Sequence, residues 1–249
     1  MTTEIMPGCE PFSATGSSNA VLVLHGFTGS PQSMRPLAVR LAEAGYSVEL
    51  PRLPGHGTSV EDLMTTTWDD WATSAEAAYE ELLGRCENVA VVGLSMGGAL
   101  TAYLAQRHDV AACVFINPQL IRPAKDLVEG LAALLEAGVT TIDPIAGDIK
   151  KEGVVETTYP SMPLSSIGTL FAAMAGVEDH LSSITAPTLL LSSRDDHVVP
   201  SENGDALMAH CAGPIQRVWL ENSYHVATLD NDAAFLESEV LSFLERVFA

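Results

Sequence analysis

Short segments that are apolar at nearly every position recur along the chain, and each ends at a glycine or a polar turn residue. Four are clear and two more are plausible: residues 20–26, 89–95, 111–117 and 187–193, then 46–52 and 216–222. A strand without polar alternation is typical of a parallel sheet, where both faces of the strand are buried. The pattern therefore predicts a parallel sheet that is covered on both faces.

Longer segments with apolar residues at helical spacing separate these strands. They are residues 31–44, 68–85, 96–107 and 233–247. Gly45 follows the first segment, where glycine commonly ends a helix, and three threonines precede the second, where they can cap a helix. Strands that alternate with helices indicate right-handed crossovers. We expect an α/β protein with a mostly parallel central sheet flanked by helices.

Residues 119–186 interrupt this alternation because they contain no convincing buried strand. They contain two apolar stripes at helical spacing, Leu127, Val128, Leu131, Leu134 and Leu135, and Leu164, Ile167, Leu170, Phe171 and Met174. We predict a short inserted helical cap at 119–186, between the two parts of a core formed by 1–118 and 187–249. The alternative is a pair of ordinary crossover helices, but a single crossover rarely needs this much chain.

Composition narrows the classes of partner. The chain has 249 residues, enough for one large domain, and a net charge of -20 from 32 acids against 12 Lys and Arg. Such a surface repels nucleic acid, so we expect no nucleic-acid partner. No apolar run approaches the roughly 18 residues of a membrane span, and no signal peptide is evident. We expect a cytoplasmic protein without stable membrane insertion.

The strongest chemical signal is the motif Gly93-Leu94-Ser95-Met96-Gly97, which follows an apolar strand and precedes a helix. This context is that of a nucleophile elbow, a strained turn that holds a serine hydroxyl clear of the backbone. Flanking glycines remove side chains that would clash, and the N-terminus of the next helix favours a developing oxyanion. We predict that Ser95 is a nucleophile. Serine at the middle position argues against a dinucleotide site.

The segment His25-Gly26-Phe27 directly follows the first predicted strand. In nucleophile-elbow enzymes this loop supplies one oxyanion-hole amide, and the residue after the serine supplies the other. Those amides are the N–H groups of Phe27 and Met96, each worth about 3–4 kcal/mol of transition-state stabilisation. We interpret His25 as structural, because it stands where the strand ends and the loop must be held.

A serine nucleophile needs a base and an acid, which follow it in the order serine, acid, histidine. His225 lies just after the last predicted strand, where a base can reach Ser95. The acid is then expected in the loop after residues 187–193, which contains both Asp195 and Asp196 beside His197. A metal site is the weaker interpretation of this loop, since no second pair at ligand spacing supports it.

The chain resembles the α/β-hydrolases, and among them the bacterial monoacylglycerol lipases and small carboxylesterases. The motifs that carry the resemblance are HGFTGSPQSMRPLA, AGYSVELPRLPGHGT, TTWDDW, GLSMGG, DDHVVP and NSYHVATLD. They extend over essentially the whole chain outside residues 119–186. The resemblance implies the α/β-hydrolase fold and a triad of Ser95, Asp196 and His225, with Asp195 one position too early to be the acid.

The same resemblance implies a cap over an apolar acyl tunnel. Glu156 matches a cap glutamate that binds the glycerol hydroxyls, and Ile145 resembles an apolar residue that narrows the glycerol pocket. The alternative for Glu156 is a solvated surface acid. The expected substrate is a neutral amphipathic monoacylglycerol, cleaved without a metal or organic cofactor, with membrane contact limited to transient contact through the cap.

Other functions remain open from the sequence. A general carboxylesterase is the main alternative, and the sequence also leaves a cofactor-free perhydrolase or a thioesterase open. A non-catalytic binder of the same fold would be expected to lack part of the triad or of the oxyanion loop. Ser95 at the elbow excludes a dehalogenase with an aspartate nucleophile.

Overall fold

The computed structural model describes residues 4–144 and 147–249 of the chain. The strands and helices in chain order are β1 Phe12–Ala14, β2 Asn19–Leu24, α1 Pro31–Glu43, β3 Ser47–Leu50, α2 Val60–Leu63, α3 Trp68–Leu83, β4 Asn88–Leu94, α4 Met96–Ala105, β5 Ala112–Ile116, α5 Lys125–Glu136, β6 Thr141–Ile142, β7 Met162–Pro163, α6 Leu164–Asp179, β8 Thr188–Ser193, α7 Glu202–His210, β9 Ile215–Leu220 and α8 Ala233–Phe248.

A seven-stranded sheet forms the centre, in the order β1-β3-β2-β4-β5-β8-β9. Its neighbouring strands run parallel, apart from the antiparallel pair of β1 with β3. The six strands predicted from apolar runs are all present, and the expected α/β fold class is confirmed. Strand β1 was missed, because its three residues lie at the sheet edge and none of them is buried.

Helices cover both faces of this sheet, as the uniformly apolar strands require. On one face, Leu22 and Val91 pack in a core with Trp71 of α3 and Leu100 of α4. On the other face, alternate residues of the same strands pack against α1 and α8. Because side chains alternate between the faces of a strand, each fully apolar strand contributes to both cores.

The interrupting segment at 119–186 contains the two predicted helices, α5 and α6. A small apolar cluster joins them through Leu131, Met162, Leu164 and Ile167. The two-residue strands β6 and β7 form a separate antiparallel pair that the sequence did not predict. In the apolar stripe of α5, Leu131 is buried and the four other members are exposed, so most of this stripe faces outward.

Two short 3-10 helices complete the secondary structure, Leu181–Ser183 and Ala227–Leu229. The second begins two residues after His225 and precedes α8. Within residues 4–144 and 147–249, no helix combines the length and the apolar content that a bilayer span requires.

Candidate active site

Ser95 lies in a strained turn between β4 and α4. Its backbone has φ 56° and ψ -117°, in a region that non-glycine residues rarely adopt. The two motif glycines are required by close approach, because a Cβ on Gly93 would overlap the carbonyl oxygen of Gly97, and one on Gly97 would overlap that of Leu24. Such strain costs about 1–3 kcal/mol and persists where the surroundings hold it, as they do here.

His225 and Asp196 come together from two loops at the carboxyl edge of the sheet. The Nδ1–H of His225 donates to Asp196 Oδ2 at 2.8 Å, and the two side chains are 8% and 7% exposed. Asp196 Oδ1 accepts the backbone N–H groups of Val198 and Val199, both at 2.8 Å. The carboxylate is therefore held by its own loop, and the hydrogen bond leaves Nε2 of His225 as the basic nitrogen.

The two neighbours of Asp196 make different contacts. Asp195 is exposed, and its Oδ2 lies 3.5 Å from the Nζ of Lys150. His197 is also exposed, and its Nδ1 is 2.9 Å from Asp148 Oδ1, a contact that raises the pKa of His197 above its usual value. Among the three candidates of this loop, the structure thus brings Asp196 into contact with His225.

Ser95 and His225 open onto one cavity of about 550 Å³. Its wall is mostly apolar and comes from the β2 loop, the segment 119–186 and the loops of Asp196 and His225. The apolar lining residues include Phe27, Ile121, Leu127, Met162, Ile167, Leu170, Phe171, Val198, Val199 and Val226. The size falls within the usual range of small-molecule sites. An apolar compartment beside a nucleophile suits a substrate with a hydrocarbon chain.

The loop after β2 lies directly against Ser95. A Cβ on Gly26 would be 3.4 Å from that of Ser95, and Phe27 follows on the cavity wall. Met96 is the first residue of α4, so its backbone N–H has no acceptor within the helix. Of the two predicted oxyanion-hole residues, Phe27 therefore lies on the cavity wall and Met96 directly follows Ser95, and their catalytic role stays a prediction.

His25 holds this loop through hydrogen bonds to two backbone groups. It is fully buried, its Nδ1–H donates to the Gly26 carbonyl at 3.0 Å, and its Nε2 accepts the N–H of Leu53 at 3.1 Å. Both ring nitrogens are occupied by backbone groups, which supports the structural interpretation. Burial lowers the pKa of His25 to about 4, so it is neutral near pH 7.

Glu156 lies inside the structure, so its interpretation as a solvated surface acid is wrong. The residue is 7% exposed and lines the cavity, and its Oε2 accepts the N–H of Gly147 at 3.1 Å. A Cβ on Gly29 would stand 2.8 Å from its Oε1, so the acid lies against the β2 loop. Burial raises the pKa of Glu156, although the Gly147 hydrogen bond opposes the shift. Ile145 lies outside the described residues.

Two further polar residues at this site were missed. Asn117, directly after β5, donates through Nδ2 to the carbonyl of His225 at 2.8 Å and to Ser193 Oγ at 2.9 Å. The sequence signal that could have identified Asn117 is its position as a polar residue directly after a buried strand. Asp148, in the inserted segment, accepts the backbone N–H of His225 at 3.1 Å, and nothing in its sequence neighbourhood indicated this.

A metal centre finds no support in the part of the chain that the structure describes. No group of three or more His, Cys, Asp or Glu side chains there could hold a metal ion. The acids around His225 instead accept hydrogen bonds from backbone amides or from a histidine. The arrangement as a whole can activate a serine hydroxyl and stabilise a charge that develops beside it.

Comparisons with known proteins agree with this geometry. The model of the alpha/beta hydrolase family matches residues 21–238. A thermostable monoacylglycerol lipase of Bacillus sp. (strain H-257) is 42% identical, over 97% of this chain and 96% of that protein. A carboxylesterase of Bacillus subtilis (strain 168) is 28% identical, over 96% and 97%.

A solved structure from work on LipS and LipT, two metagenome-derived lipolytic enzymes, superposes with a TM-score of 0.93 at 42% sequence identity. The match covers 98% of this chain and 100% of that one. The sheet order, the strained serine turn and the family match agree, and the chain belongs to the alpha/beta hydrolase family.

Proposed function

We propose that this chain hydrolyses the ester bond of monoacylglycerols and releases glycerol and a fatty acid. The observation that carries the proposal is one cavity that Ser95, His225 and the buried Glu156 share with a mostly apolar wall. The similarity to the Bacillus monoacylglycerol lipase, which extends over nearly the full length of both chains, supports the same substrate class.

The proposed reaction proceeds through an acyl-enzyme. Ser95 attacks the ester carbonyl while Nε2 of His225 takes its proton and passes it to the leaving glycerol oxygen. Asp196 keeps His225 in the required tautomer and stabilises the imidazolium. The N–H groups of Phe27 and Met96 hold the tetrahedral oxyanion. Water, deprotonated by His225, then releases the fatty acid, and neither a metal nor an organic cofactor takes part.

The two ends of the substrate would find different surroundings in the cavity. The hydrocarbon chain fits the apolar wall, which includes Leu170 and Phe171 of α6. The glycerol hydroxyls need a buried acceptor, and Glu156 is a carboxyl group already inside the cavity wall. A buried carboxylate that accepts substrate hydroxyls recovers part of the cost of its own desolvation.

We also propose that residues 119–186 act as a cap over a core formed by 1–118 and 187–249. The α5–α6 cluster gives this segment a small apolar core of its own. The exposed apolar residues of α5 favour transient contact with a lipid surface, whereas the net charge of -20 opposes tight binding to anionic lipid. The cytoplasmic location and the lack of a nucleic-acid partner stay predictions.

A general carboxylesterase is the second candidate. The similarity to the Bacillus subtilis carboxylesterase supports it, and so does the apolar wall, which would accept many acyl chains. The two candidates share the proposed triad and differ in whether Glu156 recognises a glycerol group. Substrate preference therefore separates them.

The test is a panel of purified-enzyme rates with 1-monoacylglycerols of graded chain length, the matching diacyl- and triacylglycerols, and ethyl esters of the same acids. We expect kcat/KM for the best monoacylglycerol to exceed that for its ethyl ester by at least about tenfold, the effect of one hydrogen bond to a charged acceptor. Equal values would support the carboxylesterase instead.

Covalent labelling tests the triad independently of the substrate. A fluorophosphonate should label the wild type, and should fail to label Ser95→Ala or His225→Ala. A folded wild type that resists both labelling and turnover would contradict any hydrolase function and favour a binding protein.

A further inference from the structure

We propose that Asp148 is a positioning residue that holds the loops of the catalytic base and acid in one fixed arrangement. The inference rests on the proposed function, because it takes His225 as the base and Asp196 as the acid. A single oxygen of Asp148, Oδ2, accepts the backbone N–H of His225 at 3.1 Å and that of His197, next to Asp196, at 3.2 Å. The two loops are thus joined through one carboxylate.

The remaining polar atoms of Asp148 strengthen the same junction. Its Oδ1 lies 2.9 Å from Nδ1 of His197, and its backbone carbonyl accepts the N–H of Val226 at 3.1 Å. The side chain is 16% exposed, so its carboxylate is mostly shielded from water. Four hydrogen bonds from one residue therefore reach the acid loop and the base loop.

Asp230 fixes the chain that follows Asp148 against the same base loop. Its buried carboxylate accepts the N–H groups of Lys150 at 2.7 Å and Lys151 at 2.9 Å, together with that of Tyr224 at 2.8 Å. Two carboxylates thus connect residues 148–151 to the residues around His225. Because backbone amides supply most of these donors, the junction fixes the course of the chain as well as side-chain positions.

Catalysis needs this support because the base loop is irregular. Strand β9 ends at Leu220, and the next regular element begins at Ala227, so His225 lies in a stretch without a helix or strand to hold it. A displacement of about 1 Å in a catalytic group can cost about a hundredfold in rate. Hydrogen bonds at Asp148 and Asn117 from either side limit such displacement.

The charge of Asp148 adds an electrostatic effect. The acids that face His225 are Asp196, Asp148 and Glu156, and each negative charge favours the imidazolium form. Removal of the Asp148 charge should therefore disfavour the imidazolium form of His225. His197, whose ring contacts Asp148, is a second titratable group here. The nearby carboxylates of Asp148, Asp195 and Asp196 raise its pKa.

The experiment measures kcat and KM of Asp148→Ala, Asp148→Asn and the matched control Asp195→Asn. It uses the whole 249-residue chain with the best monoacylglycerol as substrate. Asp195→Asn removes the same charge from an exposed side chain of the same surface. We expect Asp148→Ala to lower kcat by about ten- to a hundredfold with KM within about threefold, because positioning acts on the transition state. The control should stay within about twofold.

Asp148→Asn separates positioning from charge. Its amide oxygen can still accept the two backbone N–H groups, so kcat should recover most of the loss seen in Asp148→Ala. The acid limb of kcat/KM should move to lower pH, because the charge beside His225 is gone. This shift is a readout that a merely structural residue would not produce, and it can be measured even if Asp148→Ala does not fold.

Unchanged kcat in Asp148→Ala, a loss confined to KM, or an acid limb of Asp148→Asn that coincides with the wild type would each overturn the inference. Failure of the proposed function is a different result, namely a wild type that neither turns over monoacylglycerol nor reacts with fluorophosphonate. If the wild type is active and the Asp148 variants are equally active, only the positioning role is refuted and the proposed function is unaffected.

Discussion

Replacement of Asp196 by asparagine exchanges one oxygen for an NH₂ group at the contact with His225. In the wild type, Oδ1 accepts two backbone N–H groups and Oδ2 accepts the Nδ1–H of His225. The amide oxygen of an asparagine would stay with the two backbone donors, since its NH₂ group cannot accept from them. The NH₂ group would then face Nδ1, which must become an acceptor. The proton of His225 would move to Nε2, where the base needs a free lone pair.

The magnitude follows from the buried position of the pair. At 8% and 7% exposure, little water reaches either side chain to restore the correct tautomer. In the serine-protease triad, the same substitution lowers kcat by about 10⁴. We expect a comparable effect here, equivalent to about 5 kcal/mol at 1.36 kcal/mol for each factor of ten. Asp195→Asn removes an exposed charge 3.5 Å from Lys150 and should cost less than about 1 kcal/mol.

The assay is steady-state release of glycerol from a monoacylglycerol, with the rate of fluorophosphonate labelling as a second measure. Thermal unfolding of each variant shows whether the fold survives. Asp196→Asn should lose both activities and remain folded, while Asp195→Asn should keep both. A loss below about tenfold in a folded Asp196→Asn would refute the tautomer argument. Equal losses in the two variants would show that the assignment of the acid is wrong.

Three further predictions concern the residues around the serine. Glu156→Gln should raise KM for monoacylglycerol by about tenfold and leave kcat/KM for ethyl esters within about twofold, because only a glycerol group uses this acceptor; equal effects on both esters would exclude a glycerol site. In the wild type, the raised pKa of Glu156 makes its burial favourable below its unfolded pKa and costly as pH rises through the folded pKa. Scanning calorimetry should therefore show that the stability of Glu156→Gln relative to wild type is higher at pH 8 than at pH 4. A difference that does not depend on pH would contradict the raised pKa of Glu156. Gly97→Ala should abolish soluble folded protein, since the new methyl group would overlap the Leu24 carbonyl, and a normal circular dichroism melt would refute this.

The parts of the molecule that the sequence predicted share one physical origin. Strands buried on both faces are apolar throughout, and parallel strands bring their carboxyl ends to one edge of the sheet. Position and chemistry together therefore pointed to Ser95 after β4 and to the loop with Asp195 and Asp196 after β8, whereas the choice of Asp196 came from the family resemblance. Strand β1 lacks such a signal, because an edge strand of three partly exposed residues has no defined pattern.

The contacts of the inserted segment could not be predicted in the same way. Asp148 is 77 residues from His225 and 49 from His197 along the chain, and no strand end or repeated spacing connects them. The apolar stripe of α5 shows the reverse problem, since its spacing predicts a helix correctly but does not reveal that most of its side chains face outward. Periodicity determines which face of a helix is apolar, whereas the partner of that face depends on tertiary packing.

The difference between core and insertion has a consequence for the site. In the proposed mechanism, the core supplies nucleophile, acid and base through strand ends, so their relative order is a property of the sheet. The insertion contributes Glu156 to the cavity and Asp148 to the junction of the two loops, and neither depends on strand order. If Glu156 recognises glycerol as proposed, residues 147–156 connect substrate recognition with the geometry of His225. A substitution there can alter the catalytic rate without contacting the substrate, which separates Asp148 from Glu156 in a kcat and KM comparison.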